Sequence, residues 1–164
     1  MKYLLLAFVA ISSILPACAQ DQQRKSPHET VKDGNISVTY GRPYKKGRDI
    51  FGGLEAFGKV WRAGADEATE ISFAKDGSLG GQPVKAGTYT LFVIPEKTEW
   101  TIILNSQLKQ WGAYDYDKNK DKDVLKVKAP VKTLGSPVEQ FTIRFNAGNM
   151  IFAWDKTEVA VAVK

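Results

Sequence analysis

Residues 88–105 read TYTLFVIPEKTEWTIILN and contain the strongest strand signal in the chain. Two nearly continuous apolar runs are joined by a short polar link that begins after Pro95. Proline cannot donate a hydrogen bond to a β-ladder, so Pro95 ends the first strand, and the short link predicts an antiparallel hairpin. Strands that are apolar throughout are typically covered on both faces. We therefore expect this hairpin at the centre of the core.

Shorter runs on either side alternate apolar and polar residues, which is the pattern of half-buried strands. They occupy residues 35–40, 69–74, 82–85, 124–129, 139–145, 150–154 and 159–163. We expect the last two runs to form a closing hairpin through residues 155–157. No segment has the spacing of a long amphipathic helix. The sequence predicts an all-β, single-domain antiparallel β-sandwich, jelly-roll-like, over residues 35–164, preceded by a mobile segment at 20–34.

A glycine-rich run at residues 40–69 has neither helical nor strand periodicity. Its glycines permit backbone conformations that other residues resist, at an entropic cost. Basic and aromatic side chains lie between them. We predict a long, ordered, glycine-rich loop held by its own side chains, and we place the candidate site there.

The first 19 residues have the form of a secretory signal peptide, with Lys2, an apolar stretch and small residues before polar sequence. Two processing routes are open. Ala17-x-Ala19 favours cleavage before Gln20, whereas residues 15–18 resemble a bacterial lipobox that would make Cys18 a lipid anchor. We favour simple cleavage. Either route predicts a secreted or periplasmic envelope protein with no transmembrane span in the mature chain.

The charge pattern argues against a nucleic-acid partner. The formal net charge is +5, and removal of Lys2 with the leader leaves 22 basic and 18 acidic residues, a net charge of +4. The basic residues are scattered along strand-like segments, as on solvated sheet faces, and form no basic arm. A weakly basic surface suits small anionic ligands or anionic envelope polymers.

Four basic residues of the loop are candidates to converge on an anion: Arg42, Lys46, Arg48 and Arg62. Guanidinium groups bind carboxylate or phosphate through paired hydrogen bonds. The alternative is structural: Arg62 would pair with Asp66 or Glu67, and Arg42 and Arg48 would tie the loop to the sheet. Both interpretations remain open at this stage.

Two tryptophans are candidate ligand contacts, Trp61 in the loop and Trp111 beside Gly112. An exposed indole could stack on a sugar, although most aromatic side chains are buried. Trp100 and Trp154 lie in predicted strands, so we expect them in the core.

Several chemistries are excluded by the number and position of the cysteine and histidine. Cys18 is the single cysteine and lies in the leader, and His28 is the single histidine and lies in the segment expected to be mobile, so we exclude ordinary zinc sites, Cys-His dyads and Ser-His-Asp triads. Alternating acids at residues 115–123 imitate a calcium loop, but Lys120 stands at the glycine position, and we interpret the run as solvated. We expect no metal and no cofactor. Glu67 is the weak candidate for acid–base work.

The chain resembles a family of exported bacterial proteins known as domain of unknown function 2911. The resemblance runs from about Ser26 almost to the C-terminus and rests on residues 40–43, 46–52, 60–69, 86–89, 100–101 and 110–112. It implies a secreted or envelope-associated single domain and no established activity. Two departures stand out: Asp66 replaces the usual asparagine and cannot donate a hydrogen bond, and residues 161–164 lack the usual closing proline.

These observations lead to three hypotheses. The first is an envelope module that binds a small anionic or carbohydrate ligand, or a partner envelope protein, through residues 40–69 with Trp111 at the edge. The second is a hydrolase of envelope glycan that uses Glu67, with Arg62 setting its ionisation. The third is a structural or assembly protein without a pocket.

Overall fold

The computed structural model describes residues 23–164. The predicted leader at 1–19, its cleavage site and Cys18 lie outside these residues. Within the described range, no helix is both long enough and apolar enough to cross a membrane.

The described chain consists almost entirely of antiparallel strands, which confirms the predicted all-β fold. Its only helical segments are a short helix α1 (Tyr116–Asn119) and a single 3-10 turn (Lys120–Lys122). The nine strands are β1 (His28–Asp33), β2 (Ile36–Gly41), β3 (Glu70–Phe73), β4 (Gly77–Leu79), β5 (Gln82–Val84), β6 (Gly87–Ile94), β7 (Glu99–Asn105), β8 (Asp123–Asn146) and β9 (Asn149–Ala162).

Seven strands form one sheet in the order β1-β2-β3-β6-β7-β8-β9, and β4 pairs with β5 separately. The predicted central hairpin is β6–β7. Leu91 and Ile102 lie in the main core, whereas Phe92 and Ile103 pack with Tyr116 in a smaller cluster. All four strand side chains are fully buried. The continuous apolar pattern therefore arises because this hairpin is covered on both faces.

The sheet curls because β8 is 24 residues long and changes partner along its length. Its first part pairs with β7, and from Val131 onward it pairs with β9. The register shifts twice after Thr133, and such bulges bend a strand. The second part of β8 crosses β2, where Ile143 N donates a 2.8 Å hydrogen bond to the Tyr40 hydroxyl.

Aromatic rings fill the space inside the curl. Trp61 stacks on Trp154 with ring centroids 5.8 Å apart, and Phe51 meets Trp100 edge-on at 4.8 Å. The glycine-rich loop contributes Ile50, Phe51 and Trp61 to this core. The loop is thus ordered by packing, because it completes the core.

The predicted closing hairpin through residues 155–157 is wrong. Strand β9 continues through these residues, and the turn between β8 and β9 lies at Ala147 and Gly148. Both residues have positive φ, 47° and 73°, as a two-residue turn that matches the strand twist requires. Asp155 also has positive φ, 51°, and lies beside a register shift. The polar residues at 155–157 therefore mark a bulge.

The sheet begins at His28, earlier than the predicted boundary at Asn35. Within the segment predicted to be mobile, β1 pairs antiparallel with β2 along its whole length. Three of the six residues of its sequence HETVKD are exposed and none is fully buried, as is common for an edge strand. Val31 is its only apolar residue, so the alternation of apolar and polar residues that identifies half-buried strands is absent there.

Candidate functional site

Asp66 and Glu67 lie between two clefts, Asp66 lining one and Glu67 the other. Their backbone is held firmly on one side by the segment after β7. Glu67 forms an isolated antiparallel bridge with Trp111, and Gly112 N donates a 3.0 Å hydrogen bond to the carbonyl of Asp66. The wall shared by the two clefts is therefore fixed by the backbone.

Close backbone packing shapes the segment before this wall. A Cβ atom at Gly41 would lie 2.2 Å from the carbonyl oxygen of Ala65, so only glycine fits there. Ala63 and Asp66 have left-handed φ values of 51° and 63°, each costing roughly 1–2 kcal/mol. The Thr69 hydroxyl donates a 2.7 Å hydrogen bond to the Ala63 carbonyl. This strain is maintained by the surrounding contacts.

Residues 24–28, called here the N-terminal strap, run across Asp66 and Glu67. The Nε of Arg24 lies 2.8 Å and 3.0 Å from the two carboxylate oxygens of Glu67. Lys25 N and Ser26 N both donate to Oδ2 of Asp66, at 3.1 Å and 3.0 Å. Asp66 therefore acts only as an acceptor here, a role that does not need the amide of asparagine.

The first cleft, called the loop cleft, has a volume of about 450 Å³. Most of its wall comes from the glycine-rich loop, with the strap and the core ring of Trp154 completing it. It is lined by Lys25, Ser26, Pro43, Tyr44, Lys46, Arg48, Leu54, Glu55, Arg62, Gly64, Ala65, Asp66 and Trp154. Four of these residues are basic and two are acidic.

Arg62 is one of the four basic residues that line the loop cleft. Its Nε is buried and has no hydrogen-bond partner in the described protein. The alternative predicted from sequence, pairing with Asp66 or Glu67, is not seen among the described contacts, because the strap engages both carboxylates. A buried donor without a partner costs about 1–3 kcal/mol. Arg62 therefore lines the loop cleft as a permanent cation that carries a buried, unused hydrogen-bond donor.

Glu55 is a functional candidate that sequence reasoning missed. Burial raises the pKa of Glu55 to about 7, and the nearby charges of Arg62 and Arg48 only partly oppose this. A carboxyl with such a pKa exchanges its proton near neutral pH. The only local sequence feature that suggests burial of Glu55 is its position between the apolar residues Leu54 and Ala56. This feature is too weak to predict a buried carboxyl within a glycine-rich loop.

Three of the four predicted basic residues line the loop cleft, namely Lys46, Arg48 and Arg62. Arg48 also donates to the carbonyl of Tyr44 at 2.6 Å, so it stabilises the loop as well. Arg42 lies outside this cleft. Its guanidinium donates to the Phe141 carbonyl at 3.2 Å and pairs with Glu29 at 3.1 Å. Arg42 thus ties the loop to the sheet, as the structural alternative predicted.

The second cleft, called the tryptophan cleft, has a volume of about 520 Å³. It lies between the strap, strand β2 and the segment after β7. It is lined by Arg24, His28, Thr39, Tyr40, Glu67, Ala68, Glu70, Lys109, Gln110 and Trp111. The predicted site residues Glu67 and Trp111 therefore lie together, but on the other side of the wall from Arg62.

Glu67 is engaged by Arg24, not by Arg62 as the hydrolase hypothesis required. His28, which was assigned to a mobile segment, lies close to the same wall: its Nε2 is 3.4 Å from both Oδ2 of Asp66 and Oε2 of Glu67. Its position depends on the strap and on β1, neither of which was predicted. A catalytic role for Glu67 stays a prediction.

Trp61 lies in the core, although it was a candidate ligand contact. Its side chain is 3% exposed and its Nε1 donates a 3.1 Å hydrogen bond to the Gly64 carbonyl. The ring contacts other core aromatics and has no free face for a ligand. Trp100 and Trp154 are also buried, as predicted.

The acidic run at 115–123 forms α1 and the 3-10 turn that follows it. Asp115 pairs with Lys118 at 2.7 Å, and Asp123 accepts a 2.6 Å hydrogen bond from the Tyr116 hydroxyl. These acids use protein partners. Across residues 23–164, no cluster of three or more histidine, cysteine or acidic residues is arranged to hold a metal ion.

Comparison with known proteins identifies the family. The profile of the family described as "Protein of unknown function (DUF2911)" matches residues 22–163. The chain belongs to this family, which confirms the resemblance found in the sequence. No curated protein and no solved structure matches the chain.

Proposed function

We propose that this member of the DUF2911 family is an exported envelope protein that binds a small anion, a carboxylate or a phosphate, in the loop cleft. The observation that carries the proposal is the buried Nε of Arg62, which has no hydrogen-bond partner within residues 23–164 and belongs to a residue that lines the cleft. A bound anion would supply the acceptor. Charge-assisted hydrogen bonds from guanidinium groups to carboxylate or phosphate are among the strongest in proteins.

The charge of the loop cleft supports this ligand class. Its basic side chains are Lys25, Lys46, Arg48 and Arg62, against the two acids Asp66 and Glu55. The pKa of Glu55, raised to about 7 by burial, leaves this carboxyl partly protonated at neutral pH. The net charge of the cleft is therefore positive, which favours the encounter with an anion.

Calorimetric titration of the mature protein with inorganic phosphate and with succinate tests the anion site. Arg62→Gln should abolish or strongly weaken binding, whereas Arg144→Gln should not, because Arg144 is exposed and pairs with Glu158 outside the cleft. At a hundredfold its dissociation constant, a bound anion should stabilise the wild type by about 2.7 kcal/mol. Failure of both anions to bind, or equal binding by Arg62→Gln, would refute the anion site.

The exported location rests on the leader sequence. Fractionation of cells that express the full chain should place the protein in the envelope fraction. Its intact mass then separates the two routes, because the mature chain would begin at Gln20 or at a lipid-modified Cys18. A cytoplasmic protein that retains Met1 would contradict this part of the proposal.

A further inference from the structure

We propose that the tryptophan cleft is a second binding site, separate from the loop cleft, and that it accepts a neutral saccharide. This inference does not rest on the anion site. It rests on three features of the cleft: its balanced charge, its buried polar atoms without partners, and a tryptophan held in place by its backbone. Its volume of about 520 Å³ falls in the range of about 300–1,000 Å³ typical of small-molecule sites.

The charges of the tryptophan cleft balance. Arg24 is paired with Glu67 at 2.8 Å, and the Glu70 carboxylate accepts a hydrogen bond from the backbone N–H of Lys109 at 3.1 Å. Two basic and two acidic side chains therefore line the cleft, besides His28. A charged ligand would compete with the Arg24–Glu67 ion pair. An uncharged ligand with many hydroxyl groups can add hydrogen bonds to these groups without breaking the pairs.

The cleft also contains buried polar atoms without partners. In residues 23–164, four buried side-chain atoms lack a hydrogen bond, and two of them belong to residues that line this cleft, Gln110 Oε1 and His28 Nε2. His28 Nε2 lies 3.4 Å from carboxylate oxygens of Asp66 and Glu67 but does not meet hydrogen-bond geometry with either, so Gln110 Oε1 is the atom with no polar contact. Buried polar groups in folded proteins are normally satisfied. Sugar hydroxyls both donate and accept, so one could donate to Gln110 Oε1 while a neighbouring oxygen accepts from a donor in the wall.

Trp111 provides an aromatic surface at this site. The residue is half-buried, and its backbone bridge to Glu67 fixes its position in the cleft wall. The face of an indole ring carries partial negative charge. The C–H groups on one face of a pyranose carry partial positive charge, so they are attracted to it. An aromatic face beside carboxylate and amide groups is suited to recognise a sugar ring and its hydroxyls together.

Saturation-transfer NMR of the mature protein tests the site with glucose, galactose, mannose, N-acetylglucosamine, cellobiose, lactose and chitobiose. At least one of these saccharides, at millimolar concentration, should show saturation transferred from the protein to its protons. A titration followed by tryptophan fluorescence then gives the dissociation constant of that saccharide. Trp111→Ala should raise that constant about tenfold or more, and Trp111→Phe should raise it less. Gln110→Ala serves as a second variant that leaves the tryptophan in place, and it should also weaken binding.

Tyr114→Ala is the matched control, because Tyr114 lies in the same segment, is 77% exposed and does not line the cleft. It should bind the sugar as the wild type does. Arg62→Gln should also retain sugar binding, which distinguishes this site from the anion site. The proposal is overturned if none of the seven saccharides binds, or if folded Trp111→Ala and Gln110→Ala proteins bind with wild-type affinity.

Discussion

Replacing Glu55 with glutamine should remove a loss of stability that the wild-type protein undergoes as the pH rises. Burial raises the pKa of Glu55 from 4.5 to about 7 in the folded protein. Below the lower value, the carboxyl is protonated in both the folded and the unfolded state. Between the two values, the unfolded chain releases this proton while the folded protein retains it. Stability therefore falls across this window, and the loss is complete once the folded protein also ionises.

The magnitude follows from the two pKa values. A tenfold change in acidity corresponds to about 1.36 kcal/mol, so a rise from 4.5 to about 7 corresponds to about 3 kcal/mol. Glu55 is only partly buried, so solvent screens part of this penalty, and we expect about 2 kcal/mol to be measurable. Glutamine has nearly the same shape and no charge. Glu55→Gln should exceed the wild type in stability by this amount at pH 8, and the advantage should shrink toward pH 4.5.

Urea unfolding followed by tryptophan fluorescence, from pH 4.5 to 8.5, measures this difference directly. Every other titrating group is common to both proteins, so the difference between their profiles isolates Glu55. Glu96→Gln provides the control, because Glu96 is exposed in the turn between β6 and β7. Parallel profiles for the wild type and Glu55→Gln would show that Glu55 ionises normally in the folded protein, and the reasoning from burial would be refuted.

Three further predictions concern the loop cleft and its wall. The charge of sulfate is constant over this pH range, so its affinity should fall as the pH rises through 7, because ionised Glu55 adds a negative charge to the loop cleft. In calorimetry, Glu55→Gln should flatten this dependence of affinity on pH. An equal pH dependence in the variant would contradict the prediction. Gly41→Ala should lower the free energy of unfolding in urea by at least about 3 kcal/mol, because the added Cβ would lie 2.2 Å from the carbonyl oxygen of Ala65. Gly135→Ala is the control: a Cβ there meets no atom within 4 Å, so it should lower the free energy of unfolding by under about 0.5 kcal/mol. Asp66→Ala should speed amide hydrogen exchange at Ser26, because the Ser26 N–H donates a 3.0 Å hydrogen bond to the Asp66 carboxylate. Unchanged protection of the Ser26 amide in the variant would refute this contact between the strap and Asp66.

Much of the strand pattern could be predicted because burial there follows the strand period. In β2, Ile36, Val38 and Tyr40 are buried while Ser37 and Thr39 are less so. The same logic fails where strand geometry is irregular. The polar residues around Asp155 resemble a turn, but a register shift absorbs them within β9. Edge strand β1 was missed because Val31 is its only apolar residue, so no alternation of apolar and polar residues marks it.

The candidate site was predicted only in part, because it depends on contacts between distant segments. The grouping of Lys46, Arg48 and Arg62 followed from their shared loop, and the structure places them in one cleft. Glu55 acquires its raised pKa from burial, which local sequence does not encode. His28 reaches the wall through the N-terminal strap, which polar sequence alone does not reveal. Residue type and loop membership were therefore predictable, and burial and long-range pairing were not.

The glycine-rich loop serves the core and the cleft with adjacent side chains. Phe51 and Trp61 pack inside the curled sheet, whereas Glu55 and Arg62 line the loop cleft. Deletion of the loop would lower the free energy of unfolding by about 3–5 kcal/mol for each large core side chain lost. Such a variant would lose binding because it unfolds, so its loss of binding would carry no information about the site. Single polar substitutions at Glu55 and Arg62 leave the core contacts in place. Because Arg62 directly follows Trp61, a normal unfolding transition for Arg62→Gln is the condition under which its loss of anion binding identifies a site.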